Sequence, residues 1–205
     1  MSSFTDLMRS RHTVRSYAQT PVELEKLRAV LEAGQWAPTA VNAQPQRIVV
    51  LDTPETLAHV QEFCTFGWSK RYAKLAHECD TPDHEHNVFY YGAPVVLLIC
   101  YDRTACWSHP QTHQLSGPTD ATIVATHMML EATAQGLGSA WISFFDSALA
   151  RKLLSIPSKW EICSMLYLGY PAADERPAHI SGTRKPLSQT CFHNHVPLPG
   201  EVTPS

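Results

Sequence analysis

Arg11-His12-Thr13-Val14-Arg15 sets two guanidinium groups, an imidazole and a hydroxyl within one short stretch, and Arg184-Lys185 adds a second basic pair near the far end of the chain. Arginine forks grip a phosphate through paired charge-assisted hydrogen bonds, and a threonine hydroxyl supplies a further donor. Singly, each arginine reads as a surface charge pairing with Asp6, Glu23 or Glu25; as a set they suit a phosphate monoester. Residues 37–46, APTAVNAQPQ, form a run of small and amide residues. Asn42 and Gln44 each offer a donor and an acceptor, which suits a ligand whose rim alternates carbonyl and imino groups. Alone, such a loop reads as a turn with satisfied amides rather than as a binding site. Gly136-Leu137-Gly138 adds a turn at which bare backbone can come close to a ligand.

Other chemistries find less support. No Ser/His/Asp pattern demands hydrolysis and no GKS or GKT phosphate loop is present. Gly136-Leu137-Gly138 follows a helical pattern, so it is not the strand-to-helix dinucleotide fingerprint. His77, Cys79, His84 and His86 fall close together, and Cys191, His193 and His195 recur in the tail. Their intervals do not match a closed four-ligand zinc signature, Asp83 and Glu85 make the first segment read as a polar lid, and no metal is expected.

The elements that must position these residues follow from patterning. The 205 residues are 44% hydrophobic and carry a net charge of -3, enough apolar content for a core and too little positive charge for general nucleic-acid binding. Thr20 to Glu23 has the spacing of a capping box, and Leu24, Leu27 and Leu31 then recur at helical spacing up to Pro38. A strand is expected over 48–51, a helix opened by Thr53-Pro54-Glu55, and a strand buried on both faces over 94–100. Asp120 is read as opening a long helix too apolar for a surface, so that helix belongs in the core or at an interface. A strand over 140–145, a helix capped by Asp146 and a last strand over 165–168 complete an α+β order with a central mixed sheet flanked by helices.

Five stretches, taken in order, resemble the flavin-dependent nitroreductase family: Arg11 to Arg15, Ala37 to Pro45, Met129 through Gly136-Leu137-Gly138 to Ile142, Leu168 to Pro171, and Arg184 to Leu187. The resemblance implies an interlocked homodimer with one FMN in each of two interface clefts. On the matching positions Arg11, His12, Thr13 (commonly serine in the family) and Arg15 would bind the ribityl phosphate and flavin edge, joined by Arg184 and Lys185. Pro38, Thr39, Asn42 and Gln44 would approach the isoalloxazine, with the loop coming from the other subunit relative to some phosphate ligands. Gly136, Leu137 and Gly138 would place backbone beside the ring. No side chain is expected to act as the catalytic acid or base, because the flavin ring carries the chemistry. The nitroreductase-like domain is expected over 1–190, with 191–205 as a tail packing on the partner.

The resemblance also implies an oxidoreductase that takes a hydride from NAD(P)H and reduces nitroaromatics, quinones or a related electrophile by a ping-pong scheme. Gln46 departs from the pattern, standing where the family commonly has tryptophan. Phe66, Trp68, Tyr90 and Trp107 are candidates for the substrate pocket, or else for the dimer core. The alternative function is a non-catalytic flavin- or metal-binding protein on the same fold. No apolar run approaches a bilayer span and the first residues lack the apolar core of a signal peptide, so the chain is expected in the cytoplasm with free thiols.

Overall fold

The structure is a computed structural model and describes residues 3–64, 91–175, 184–194 and 196. The elements run α1 (Phe4–Ser10), α2 (Leu24–Gln35), β1 (Gln46–Leu51), α3 (Pro54–Cys64), β2 (Val95–Asp102), α4 (Gly117–Ala134), β3 (Gly138–Ile142), α5 (Ser147–Leu153) and β4 (Trp160–Gly169). The four strands pair in the order β1-β2-β4-β3, and every pairing between them is antiparallel. Among the described residues the parallel component of the sheet is a single bridge, Thr13 to Ser139, on the outer side of β3.

The unbroken apolar run of β2 is explained by what covers it. Val96, Leu98 and Cys100 join a cluster with Val60 and Phe63 of α3 and Ala150 of α5, while Val95, Leu97 and Ile99 join one with Val30 of α2 and Val124 and Met128 of α4. Alternate side chains therefore point into two separate cores, and both must be apolar. Gly34 lets α2 close on α4: a Cβ there would lie 3.0 Å from the Met128 Cγ.

Local details depart from the sequence expectation in four places. The capping box at Thr20 does not form; α2 starts at Leu24 with Glu23 as N-cap and no side-chain cap bond. The Glu23 carboxylate instead accepts the Tyr170 hydroxyl, at 2.6 and 2.9 Å, and so is not free to fold back. Helix α4 begins at Gly117, with Ser116 as N-cap, and Asp120 lies inside it. Gly117 is required there because the Tyr101 ring occupies the space a Cβ would fill. Strand β3 is displaced toward Gly138, and β4 is much longer than its apolar centre over 165–168. Asp146 does cap α5, accepting the Leu149 N–H at 2.9 Å.

The turn at Gly136-Leu137-Gly138 has two structural duties. Gly136 has a φ of 75°, its N–H donates to the Thr133 carbonyl and the Leu137 N–H to Ala132 at 2.8 Å, which is the paired hydrogen-bond pattern of a Schellman cap. Gly138 admits the N-terminal segment: a Cβ there would lie 2.6 Å from the Val14 Cγ2 and 3.1 Å from the Pro171 Cγ. Val14 is fully buried and its N–H donates to the Ser139 carbonyl at 3.0 Å. Gly138→Ala should therefore force this seam apart and destabilise the fold by about 1–3 kcal/mol, measured as a lowered denaturant midpoint, whereas Gly136→Ala should act through backbone strain alone.

Candidate functional site

The seam between Val14 and β3 carries the N-terminal basic residues. Thr13 bridges to Ser139, and the Arg15 N–H donates to the Glu175 carboxylate at 3.2 Å. The guanidinium groups are a different matter. Asp6 is engaged with Ser3 in a capping box and Glu23 with Tyr170, so two of the carboxylates nearest in sequence are committed elsewhere. Among the described residues no carboxylate lies within ion-pair distance of Arg11, Arg15, Arg184 or Lys185. Arg15, Arg184 and Lys185 are exposed, and Arg11, His12 and Thr13 are half-buried. The His12 ring sits 3.2 Å from the Ser10 carbonyl. The segment from Arg184 makes only local hydrogen bonds among the described residues, around the 3-10 turn Leu187–Gln189.

The amide loop lies at another corner. It enters β1 at Gln46, which pairs with Tyr101, and Tyr101 in turn faces Glu161 at the start of β4. The basic segment lies outside β3 near Ser139, which faces Leu168 at the other end of β4. The two stretches thus occupy diagonal corners of the sheet, separated by more than about 20 Å given strand spacing and rise. Thr13 and Val14 are brought to Gly138 and Ser139, with Arg15 following and Arg11 two residues before; Pro38, Thr39, Asn42 and Gln44 are brought together with one another; within one chain the two groups do not meet.

The loop is built for a fixed shape. Ala40–Asn42 forms a 3-10 turn, and Val41, Asn42 and Gln44 all have positive φ, of 48°, 57° and 48°. Such backbone costs of order 1–3 kcal/mol per residue and persists only where its surroundings impose it. What imposes it is a set of hydrogen bonds. The Ala40 N–H donates to the Asp120 carboxylate at 2.9 Å, the Gln44 N–H to the Thr39 hydroxyl at 3.1 Å, the Gln44 amide to the Asn42 amide oxygen at 3.2 Å, and the Arg47 guanidinium to the Gln44 and Gln46 carbonyls. Asp120 is 2% exposed, and its second oxygen accepts the Ser116 hydroxyl at 2.7 Å. Val41 is 76% exposed, so a strained residue projects its apolar side chain away from its own core.

Asp120, Ser116 and Arg47 hold the loop in shape, a role the sequence reading missed. A signal was present: Asp120 falls on the same helical stripe as Val124 and Met128, both buried, and an acid on an apolar stripe needs a partner. Behind the loop, Asp102 donates its N–H to the Pro45 carbonyl at 2.8 Å. The Thr104 hydroxyl, at 2.6 Å, and then Lys159, at 3.1 Å, hold the Asp102 carboxyl down at about 2 against the opposing effect of burial. Gln46 has no hydrogen bond to its buried amide oxygen among the described residues, beside a cavity of about 260 Å³ between Leu31, Gly34, Val124 and Met128. Trp107, 38% exposed, lines a cleft that also holds Ala40 of the loop. Phe66, Trp68, Tyr90 and the cluster His77, Cys79, His84 and His86 lie outside the described residues. No group of metal-binding side chains occurs among the described residues, and no described helix is long and apolar enough to cross a membrane.

Residues 8–170 match the sequence profile of the Nitroreductase family, and the chain belongs to that family. It is 29% identical to an NADH dehydrogenase of Thermus thermophilus, covering 82% of this chain and 87% of that protein. It is 27% identical to a 5,6-dimethylbenzimidazole synthase of Rhodobacter capsulatus, covering 90% and 92%. A Desulfovibrio desulfuricans protein solved in complex with FMN shares the fold, with a TM-score of 0.68 at 24% identity, over 96% of this chain and 99% of that one.

Two outcomes follow from the supports. Asp120→Ala leaves the Ala40 N–H without its acceptor and should cost about 1–3 kcal/mol, with amide exchange quickened selectively over residues 39–44. The depressed Asp102 pKa means its contribution to stability is complete above the unfolded carboxyl value of about 4 and fades as pH falls from there toward about 2. Asp102→Asn should flatten that part of the acid-unfolding curve.

Proposed function

We propose that this chain is an FMN-dependent oxidoreductase, working as a homodimer, that draws a hydride from NAD(P)H and delivers it to nitroaromatics, quinones or a related electrophile. The observation that carries the reading is the placement of two incomplete half-sites on diagonal corners of one subunit. One half offers the Arg11 and Arg15 guanidinium groups with no carboxylate in ion-pair distance among the described residues, and the other offers preformed amides at Asn42 and Gln44. Juxtaposing the corners of two copies would give each pair of copies two complete sites. The half-buried apolar face of α4, with Ile123, Met129 and Leu130, is the surface available to bring them together.

The residues fit the cofactor. Arg11, His12, Thr13 and Arg15, with Arg184 and Lys185, would hold its phosphate; guanidinium groups with no ion pair among the described residues are what a dianion needs. The bare backbone at Gly138 and the loop from Pro38 and Thr39 to Asn42 and Gln44 would bracket the ring and its polar rim. The bound group would supply the hydride chemistry, accepting from the donor and giving to the acceptor in turn. A guanidinium near the ring, from Arg11 or Arg15, would stabilise negative charge developing there. The relatives named above differ in reaction, so the acceptor is set by the cleft residues and not by the family.

The purified protein should be yellow, should bleach when NADH or NADPH is added without oxygen, and should recolour with a nitroaromatic or quinone. A flavin that neither nucleotide reduces would favour a non-catalytic binding protein. Arg15→Ala and Arg184→Ala should each weaken FMN binding by roughly tenfold to a hundredfold, the loss of one charge-assisted contact, measured by equilibrium titration of the apoprotein. Unchanged affinity would remove that residue from the phosphate site.

A further inference from the structure

Two concavities flank the connection between β2 and α4. One, of about 290 Å³, is walled by Trp107, His109, Gln114 and Ser116, with Ala40 and Asp120 behind. The other, of about 410 Å³, is walled by Arg103, Thr104, Ser158 and Lys159. Both have Leu115 as a wall.

The connection is stitched into a fixed shape. Ser108 bridges to Leu115, the His109 N–H donates to the Gln114 carbonyl and the Ser116 N–H to the Trp107 carbonyl, each at 2.9 Å. The Trp107 and His109 rings meet edge to face with centroids 5.7 Å apart. The His109 Nδ1 accepts the N–H groups of Gln111 and Thr112 at 3.2 Å, so in this geometry it carries no proton and Nε2–H is the remaining donor. Among the described residues this lobe has an indole, an imidazole donor, the Gln114 amide and the Asp120 carboxyl behind, with no cation in its wall.

The second lobe is cationic. Lys159 pairs with Asp102 at 3.1 Å and Arg103 with Glu161 at 3.2 Å, while Arg47 and Arg151 face the same two carboxylates. Four cations therefore share two acids. Asp102 is already engaged by the Thr104 hydroxyl and N–H, so among the described residues this cluster carries a positive surplus, and its Arg103 and Lys159 line the concavity. Neither lobe alone resembles a complete ligand site; together they present an aromatic wall on the connection and a cationic wall made by Arg103 of the connection and Lys159 just before β4.

We infer that the two lobes act as one groove for a planar aromatic ring bearing an anionic group, with the ring against Trp107 and His109 and the anion at Arg103 and Lys159. The inference rests on the flavin reading in one respect: Ala40 belongs to both the ring lobe and the loop assigned to the flavin, which makes this a place for a reaction partner. Two sources share the chemistry. An acceptor would be an aromatic acid, and the donor would be a pyridine nucleotide lying with its phosphates on the cationic lobe.

The test is calorimetric titration, without turnover and with flavin content recorded, using 4-nitrobenzoate, its neutral counterpart 4-nitrobenzamide, and NADH. Arg103 is exposed, so Arg103→Ala and Arg103→Gln should fold, with thermal unfolding as the control. If the occupant is an aromatic acid, both variants weaken 4-nitrobenzoate about fivefold or more and leave 4-nitrobenzamide within about twofold, the size expected for a partly solvated charge contact. Trp107→Ala weakens both. If the occupant is the donor, NADH loses affinity in the Arg103 variants and 4-nitrobenzoate does not. Unchanged binding of both anionic probes in both Arg103 variants overturns the groove. Because binding is read directly, discrimination by a protein that holds no flavin would preserve the groove and sink the flavin reading, and a flavoprotein without discrimination would do the reverse.

Discussion

Helix α4 holds the two polar corners of this subunit apart. Its 18 residues span about 27 Å at the usual helical rise, and it is fixed along that length by burial of Ala121, Val124, Ala125, Met128 and Ala132. At its N-terminal end Asp120 reaches the amide loop; at its C-terminal end the cap at Gly136 turns the chain into β3, where Val14 and the basic segment dock. Neither end can move toward the other without unpacking one of the two cores. A ligand that needs both corners must therefore find the second on another molecule.

The charges obey the same logic. Two acids that could neutralise the N-terminal arginines are engaged elsewhere, Asp6 on a helix cap and Glu23 on Tyr170 across the fold, while Glu175 meets Arg15 through its backbone N–H. Acids that are buried serve the scaffold: Asp102 gathers Thr104 and Lys159 behind the loop, and Asp120 fixes Ala40. Among the described residues, guanidinium groups without an ion pair include Arg11 and Arg15, where a phosphate is proposed, and cations outnumber acids around Asp102 and Glu161. The strained backbone at Val41, Asn42 and Gln44 belongs with these features, since positive φ at a β-branched, exposed residue gains nothing from its own core.

Much of this was legible in the sequence, for reasons that differ by element. The run over 94–100 announced a doubly covered strand because both parities were apolar, and Asp146 announced a helix because its cap bond is local. The boundaries of α4 and β3 were misplaced because Gly117 and Gly138 owe their positions to distant side chains, Tyr101 and Val14, that no local pattern contains. The capping box at Thr20 failed for the same reason, its glutamate being claimed by Tyr170 across the fold. The basic and amide stretches were recognised as a set by their residue types and order. Their separation within one subunit is a property of the sheet order, which the sequence does not display, and the supports Asp120 and Arg47 were hidden inside elements read only for their periodicity.

Subunit complementation tests the central claim most directly. An Arg15→Ala chain and an Asn42→Ala chain, each weakened in FMN binding as a homodimer, would be co-expressed with different tags and the mixed species isolated. If each site takes its phosphate grip from one copy and its amide loop from the other, the mixed dimer contains one wholly unaltered site and should bind one FMN per dimer with the affinity of the unsubstituted protein. If the mixed species binds no FMN with that affinity, the two halves belong to the same chain and the account of a site shared between copies is wrong.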